Sequence, residues 1–401
     1  MTVAFVMGFS SGLPLLLTIG VLQAWMKEKG IDLGWIGMIA LVQLPYTWKF
    51  VWAPFIDRYT LPFLGRRRGW LLIAQLALIL SIVALGYSDP VDKVGMMVVA
   101  AMLVAFFSAT QDIVVDAYRR EDLPDEELGL GSSMYIYGYR MGMLLASGGG
   151  LIMADHMLFS RVYFIMAACM LPGVITTLLT PEPDAAAGTP QTLRDAIVNP
   201  LVEYFSRPSA LWILVFILLY KIGDTMASAI TTPFYLEIGF SKTEIGAVVK
   251  LFGTGATLVG AFAGGILMLK LGINRSLWAF GVLQALSTAG FALLARIGHS
   301  IPTLSGVIAF ENLSSGMGTA AFVAFMASIT NKKFTATQLA LLTSLIGLPR
   351  ALASSVTGFM AQNIGWESFF IFCTLAAIPG MLLLMKFAPW NPQQAIGPKA
   401  T

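Results

Sequence analysis

Residues 96–124 read MMVVAAMLVAFFSATQDIVVDAYRREDLP. The first part is continuously apolar, and the whole is long enough to cross a bilayer as helix at 1.5 Å per residue. Into this span the sequence sets two acids, Asp112 and Asp116. A carboxylate at bilayer depth is expensive, so membrane helices carry one mainly where it lines a path or holds a partner. Residues at i and i+4 share one helix face, with Cβ atoms about 5–6 Å apart. Two carboxylates that close cannot both ionise freely in a dry site, so one is expected to hold a proton. The stretch predicts a membrane protein with a proton site rather than a passive scaffold.

The rest of the chain agrees. Of 401 residues, 57% are hydrophobic and 12% charged, with a mean hydropathy of +0.77. A soluble protein would be near a quarter charged. A net charge of +3 with no basic, aromatic-interleaved patch excludes nucleic-acid binding. Cys169 and Cys373 fall in apolar runs and read as small core hydrophobes. His156 and His299 lie far apart, so no metal spacing arises, and no catalytic triad or phosphate-binding loop is present. The first apolar run begins at the start of the chain without a basic region or cleavage motif before or after it. It reads as a span, not a cleaved signal peptide.

Twelve spans are predicted, six in residues 1–180 and six in 209–390, separated by a linker at 181–208 and followed by a cytoplasmic tail at 391–401. The linker, PEPDAAAGTPQTLRDAIVNPLVEYFSRP, offers an amphipathic helix with Leu193, Ile197, Leu201 and Phe205, expected to lie on the membrane surface. With both termini cytoplasmic, fourteen Lys and Arg fall inside and six outside, as the positive-inside rule requires. Lys49, Arg140, Lys221, Lys250 and Arg350 are predicted within spans. The halves echo each other. APFIDRYTLPFLGRRRGW at 53–70 parallels GGILMLKLGINRSLW at 264–278, and GYRMGMLLASGGG at 138–150 parallels GLPRALASSVTG at 347–358. A six-plus-six duplication is the signature of the major facilitator architecture. The fold class is therefore an all-α integral membrane protein, with substrate near the midplane.

The intramembrane polar residues supply the candidate site. Asp57 and Arg58 read as a cytoplasmic gate, while Arg66 to Arg68 read as obeying the positive-inside rule alone. The second-half copy lacks the acid, with Leu269 before Lys270. Asp116 reads as a gating or structural partner of Arg119 and Arg120. Asp112, a turn deeper, reads as the proton acceptor or as half of a buried ion pair with Arg140 or another span cation. Lys221 and Asp224 are expected to pair, flanked by Tyr220 and Thr225, whose hydroxyls suit a sugar. Glu311 is a further proton candidate beside Asn312, in a span whose Ser314, Ser315, Gly316 and Gly318 admit a close neighbour. Among the aromatics, Trp25 suits the interfacial belt. Tyr137 is the best placed of Tyr135, Tyr137 and Tyr139, one turn before Arg140. Gln111 and Asn312 offer amide partners, and Arg140, Lys221 and Arg350 offer cations.

These motifs resemble the AmpG muropeptide permeases. The matching strings run in the family's order across nearly the whole chain: GFSSGLPLLLTIGVLQAWM, KFVWAPFIDRYTLPFLGRRRGWL, SATQDIVVDAYRREDLP, GYRMGMLLASGG, LLYKIGDTMASAITTPFYL, FENLSSGMGTAAFVAFM and FTATQLALLTSLIGLPR. The resemblance implies a monomeric inner-membrane symporter, driven by the proton gradient without a cofactor. It would import GlcNAc-1,6-anhydro-MurNAc and its peptides from the periplasm for peptidoglycan recycling, and through that pathway influence β-lactamase induction. Asp112, Asp116, Arg140, Lys221, Asp224, Glu311, Asn312 and Arg350 match polar positions in the family's spans. The chain starts almost inside its first span and ends soon after the twelfth, so a short cytoplasmic start and extra C-terminal hydrophobic segments are expected to be absent. The string QDIVVDA also resembles acetyl-CoA transporters, so transport of another anion, or export, is the alternative. A membrane transferase would need a nucleophile–base pair, for which neither His156 nor His299 has a nearby candidate in sequence, and a non-transporting sensor would need no proton site.

Overall fold

The computed structural model describes residues 1–31, 35–36, 39–184, 192–207, 209–241, 244–346 and 357–390. Arg350 and the tail from residue 391, both part of the expectations above, lie outside the described residues. All regular structure among the described residues is helical. In chain order the runs are α1 Thr2–Glu28, a broken α2 at 39–58, α3 Arg66–Tyr87, α4 Val94–Asp122, α5 from Leu128 to Ala154, and α6 Phe159–Leu179. Helix Leu193–Phe205 follows in the linker. Then come α7 Ala210–Glu237, α8 and α9 within Ile245–Ile297, α10 Ile301–Ser328, α11 Thr335–Leu345 and α12 Trp366–Phe387.

By length and apolar content, seven described helices can cross a membrane, and an eighth if Ile301–Ser328 and Lys332–Leu345, bent by 98°, form one broken span. The expectation of twelve is thus met only in part by this measure. The differences have local causes. The run Ile245–Ile297 is 53 residues long, twice a bilayer crossing, and breaks at Gly272, whose φ of 76° an L side chain rarely adopts. In α2, Pro45 and Pro54 each restart the helix. In α5, a π-helical turn at Leu145–Gly149 divides the run.

The chain forms two compact units. The first comprises Met1–Pro124, Met134–Leu201 and Ile329–Ser344, and the second Asp125–Ser133, Val202–Ser328 and Leu345–Thr401. The core of the first joins Leu13, Leu17 and Val21 of α1 to Leu78 and Ile82 of α3 and Val162, Tyr163 and Met166 of α6. Tyr163 donates its hydroxyl to the Leu17 carbonyl at 3.0 Å, where α1 widens into a π turn. Trp25, expected in the interfacial belt, is instead buried and stacks on Phe159 with ring centroids 5.7 Å apart. The apolar face of the indole finds more contact in this core than at an interface.

Small residues set the helix spacing. A Cβ at Gly8 or Gly12 of α1 would strike the carbonyl of Tyr135 or Tyr139 of α5. A Cβ at Gly138 or Gly142 would strike that of Phe5 or Phe9. The two backbones are therefore in direct contact, as small residues permit in membranes. In the second unit Gly260 of α8 meets the Leu313 backbone of α10, and Gly316 of α10 meets the Thr257 carbonyl. That is the close approach expected of the small-residue stretch in α10. The core of this unit is aromatic, with Phe234, Tyr235, Phe291, Phe369 and Phe370 buried together.

Candidate functional site

Every residue of α4 from Ser108 to Arg120 is buried, so this half of the helix is surrounded on all faces. Its polar side chains must therefore find partners inside the protein. Gln111 Nε2 donates to Ser11 Oγ of α1 at 3.3 Å, and Ser11 is among the groups that act on the Asp112 carboxyl. The buried Asp112 Oδ1 receives no hydrogen bond among the described residues. The cation whose field acts on Asp112 is Lys49 of α2, itself buried. Lys49 is one of the span cations expected as a partner for Asp112; Arg140, the other named partner, acts on the hydroxyl of Tyr139.

Tyr46, Tyr135 and Tyr139 all feel the Asp112 charge. Tyr135 and Tyr139, one turn apart on α5, have ring centroids 6.0 Å apart. Tyr137, the aromatic expected to stack on a sugar, lies against Phe5 with ring centroids 5.7 Å apart. Asp116 accepts from Arg119 at 3.0 Å, the pairing expected of it. The Arg119 guanidinium also lies 4.4 Å from the Tyr135 ring centroid, a cation–π contact that ties the pair to α5.

Below this cluster is a buried charge network. Arg67 donates to Asp57 at 2.8 Å and to Glu121 at 2.6 Å, and Arg66 donates to Glu121 at 2.7 Å. Arg68 donates to the carbonyls of Thr177 and Leu178 at the end of α6. This corrects one expectation. Arg66 to Arg68 do more than obey the positive-inside rule, because each is engaged by a specific acceptor. Asp57 pairs with Arg67, and Arg58 lies over the Tyr59 ring at 5.4 Å. Glu182 caps α3 by accepting from the backbone N–H groups of Arg67 and Arg68 at 2.6 and 3.0 Å. A Cβ at Gly65, whose φ is 84°, would collide with that carboxylate.

The second unit holds its own membrane-depth cluster. Lys221 Nζ lies 3.8 Å from Asp224 Oδ2, so the two pair as expected. It also donates to Thr319 Oγ1 of α10 at 2.7 Å. Glu311 accepts from Ser287 Oγ of α9 at 2.5 Å, and the charges of Asp224 and Lys221 act on it. Two candidates have structural tasks instead. Tyr220 is buried, donates its hydroxyl to the Leu277 carbonyl at 2.9 Å and stacks on Phe322 at 5.3 Å, so it is not a sugar contact in this arrangement. Asn312 accepts from Thr257 at 2.8 Å and donates to the Ile308 carbonyl at 3.0 Å, clasping α10 to α8. Ser11, Lys49, Ser287 and Thr319 were outside the sequence-derived candidates. Only Lys49 carried a signal, as a cation within a predicted span.

Helices long and apolar enough to cross a membrane, with ion pairs buried among them, fit a membrane transporter. The comparisons agree. The family model of the Major Facilitator Superfamily matches residues 1–299 and 222–400. The chain is 45% identical over 385 residues to the anhydromuropeptide permease of Escherichia coli (strain K12), covering 96% of this chain and 78% of that protein. It is 33% identical to a putative transporter AmpG 4 of Rickettsia felis, covering 95% and 94%. Among solved structures, the fold is similar to the E. coli fucose:proton symporter FucP, with a TM-score of 0.74 at 12% identity over 95% of this chain and 97% of that one. It is likewise similar to the proton:xylose symporter XylE, with a TM-score of 0.69 at 14% identity over 97% and 95%. The chain belongs to the AmpG family of permeases within the major facilitator superfamily.

Proposed function

We propose that this permease imports anhydromuropeptides, GlcNAc-1,6-anhydro-MurNAc and its peptides, across the bacterial inner membrane by alternating access, together with protons. The observation that carries the substrate is the 45% identity to an anhydromuropeptide permease over 96% of the chain. The chemistry is consistent with it. Such a substrate presents peptide carboxylates, amide and hydroxyl groups, and an apolar sugar face. The Asp112 cluster offers a cation in Lys49, hydrogen-bond partners in Ser11 and Gln111, and an aromatic wall in Tyr46, Tyr135 and Tyr139. Aromatic faces and a few convergent polar groups are the usual furniture of a small-molecule site.

In this reading the proton gradient is the only energy source and no cofactor takes part. The chain acts as a monomer with both termini cytoplasmic. Asp112 accepts a proton from the periplasmic side, and the Asp116–Arg119 pair regulates its exit. A buried carboxyl in the field of one cation can hold its proton or release it at modest cost, which a coupling group requires.

The test is uptake of labelled GlcNAc-anhydro-MurNAc into proteoliposomes with and without an inward proton gradient. Gradient-driven accumulation is expected for the parent, and mere equilibration for Asp112→Asn. If the parent moves no muropeptide, the substrate reading fails. If Asp112→Asn still concentrates it, Asp112 is structural.

A further inference from the structure

Three segments of the second unit meet at one end of its bundle: the start of α7, the start of α9 and the end of α12. Helix α12 stops at Phe387, just before Pro389, and carbonyls at a helix end need donors from elsewhere. Trp278 Nε1 donates to the Ala388 carbonyl at 2.9 Å, and Arg275 Nε donates to the Trp390 carbonyl at 3.1 Å. Both donors come from α9, so the end of α12 is pinned to it. Lys386, in the last turn of α12, sets its ammonium 4.4 Å from the ring centroid of Trp212, in the first turn of α7. Further along the same seam a Cβ at Gly380 would strike the Leu219 carbonyl, so α7 and α12 are in backbone contact.

The chemistry of this corner is one-sided. Residues 209–219, 271–280 and 379–390 contain Arg275 and Lys386 but no Asp or Glu. Glu203, in the linker helix before α7, is already held by Arg207 at 2.7 Å. Lys386 is exposed, and among the described residues its ammonium meets the Trp212 ring and no acid. Trp212 and Trp390 are themselves half exposed. Tryptophan beside a basic residue at a helix end marks the headgroup level of a membrane. From that level the surface turns apolar. Ile378 and Leu382 precede Lys386 at four-residue steps on α12, Val215 follows Trp212 by three on α7, and all three are exposed.

We propose that this corner binds an anionic phospholipid, with the phosphodiester on Lys386 and an acyl chain along Leu382 and Val215. Charge complementarity argues for it. An exposed ammonium steadied on an indole face offers three donors to an anion, and Arg275 adds to the positive field of the same corner. Basic pockets between membrane helices take lipid phosphates in this way. A free phosphate would use the cation and leave the apolar track uncovered, whereas a phospholipid satisfies both. The inference rests on the membrane placement proposed above, and on neither the muropeptide nor proton coupling.

The experiment titrates dioleoylphosphatidylglycerol into the purified, delipidated full chain in detergent and counts bound lipid by native mass spectrometry. Dioleoylphosphatidylethanolamine and glycerol 1-phosphate are the comparators. The first phosphatidylglycerol should bind the parent more tightly than phosphatidylethanolamine. Lys386→Gln should weaken it about fivefold, the contribution of one basic side chain near an anionic lipid, and Lys386→Arg should restore it. Lys93→Gln, at an exposed lysine before α4 in the first unit, should change nothing. Equal affinity of the parent for the two lipids, or of Lys386→Gln and the parent for phosphatidylglycerol, overturns the proposal. Displacement of the lipid by glycerol 1-phosphate at equal concentration would show an anion site without a chain track, and overturns it too. If Lys386→Gln does not survive purification, the parent decides. Brominated phosphatidylglycerol should quench its tryptophan fluorescence at a lower mole fraction than brominated phosphatidylethanolamine, and equal quenching overturns the proposal. A parent that moves no muropeptide should still bind the lipid, so the two readings fail separately.

Discussion

Thr337 donates both its backbone N–H and its hydroxyl to one oxygen of Asp57, at 2.8 and 2.7 Å, across 280 residues of sequence. Ala336 adds its N–H to the other oxygen at 3.3 Å. The carboxylate therefore sits on the first turn of α11, where unpaired N–H groups and the helix dipole favour an anion. On its other side Arg67 holds the same carboxylate at 2.8 Å, with both side chains fully buried. Asp57→Ala leaves Arg67 with Glu121 as its one remaining acid and strands the two amides and the Thr337 hydroxyl. Removing one member of a buried pair costs up to about 3–5 kcal/mol, and Glu121 reduces that here. Asp57→Asn keeps an acceptor oxygen and is expected to lose less. Thermal unfolding in detergent should rank the parent above Asp57→Asn, and Asp57→Asn above Asp57→Ala. Equal midpoints for all three would remove the latch from consideration.

The seam between α1 and α5 makes a second prediction. A Cβ at Gly12 or Gly138 has nowhere to go, because the obstacle is backbone. Gly20, on the same helix, has open space around it. Gly12→Ala and Gly138→Ala should each destabilise by about 1–3 kcal/mol, the usual range for overpacking, and should impair uptake by displacing Tyr135 and Tyr139. Gly20→Ala should be neutral in both measurements. If Gly12→Ala is as stable and active as Gly20→Ala, the helices do not meet as described.

Asp116 and Arg119 are three residues apart, nearly buried, and 3.0 Å from one another. Arg119 also faces Tyr135, so the pair is worth more than its Coulomb attraction. Asp116→Ala should cost about 3 kcal/mol or more by leaving an uncompensated guanidinium. Adding Arg119→Gln should recover part of that loss. A double-mutant cycle on thermal stability measures the coupling directly. Strict additivity of the two substitutions would show that they do not act as a pair.

Much of this organisation is legible in the sequence, because membrane burial leaves simple marks. Acids and cations inside apolar runs located Asp112, Asp116, Lys221, Asp224 and Glu311, since each is too costly to be accidental. The Lys221–Asp224 pair followed from helical spacing alone. Two kinds of information were hidden. One is which side chain meets another across helices: that Asp112 faces Lys49 and Ser11 depends on how α1, α2 and α4 pack. The other is what a basic run does once buried. Arg66 to Arg68 look like topology signals, yet Glu121, Asp57 and the end of α6 engage all three. Glycines at 8, 12, 138 and 142 carried the helix contact in plain sight, but their common purpose appears only when both helices are placed.

The last prediction concerns pH on a face away from the bundle interior. Lys29, after α1, donates to Asp89, before α4, at 2.7 Å. Asp89 also accepts from the backbone N–H groups of Val91 and Asp92 at 2.8 and 3.3 Å, which shapes the turn into α4. The Lys29 hydrogen bond, then the Val91 amide, hold the Asp89 carboxyl below its ordinary range, and the Asp89 hydrogen bond raises Lys29 above its own. A depressed carboxyl adds stability above its ordinary range and loses it as pH falls through the lowered value. A raised amine adds stability below its ordinary range and loses it as pH rises through the raised value. The contact is therefore intact across the neutral region and weakens only at either extreme. Both side chains are substantially exposed, so the effect is small and the ion-pair part of it screens with salt. In thermal unfolding followed from neutral to acid pH, Asp89→Asn should lie slightly below the parent at neutral pH and converge with it in acid. Added salt should narrow the neutral gap without closing it, because the Val91 and Asp92 amides still favour a carboxylate over an amide oxygen. Parallel curves at every pH would mean that the loop is held by something other than Asp89.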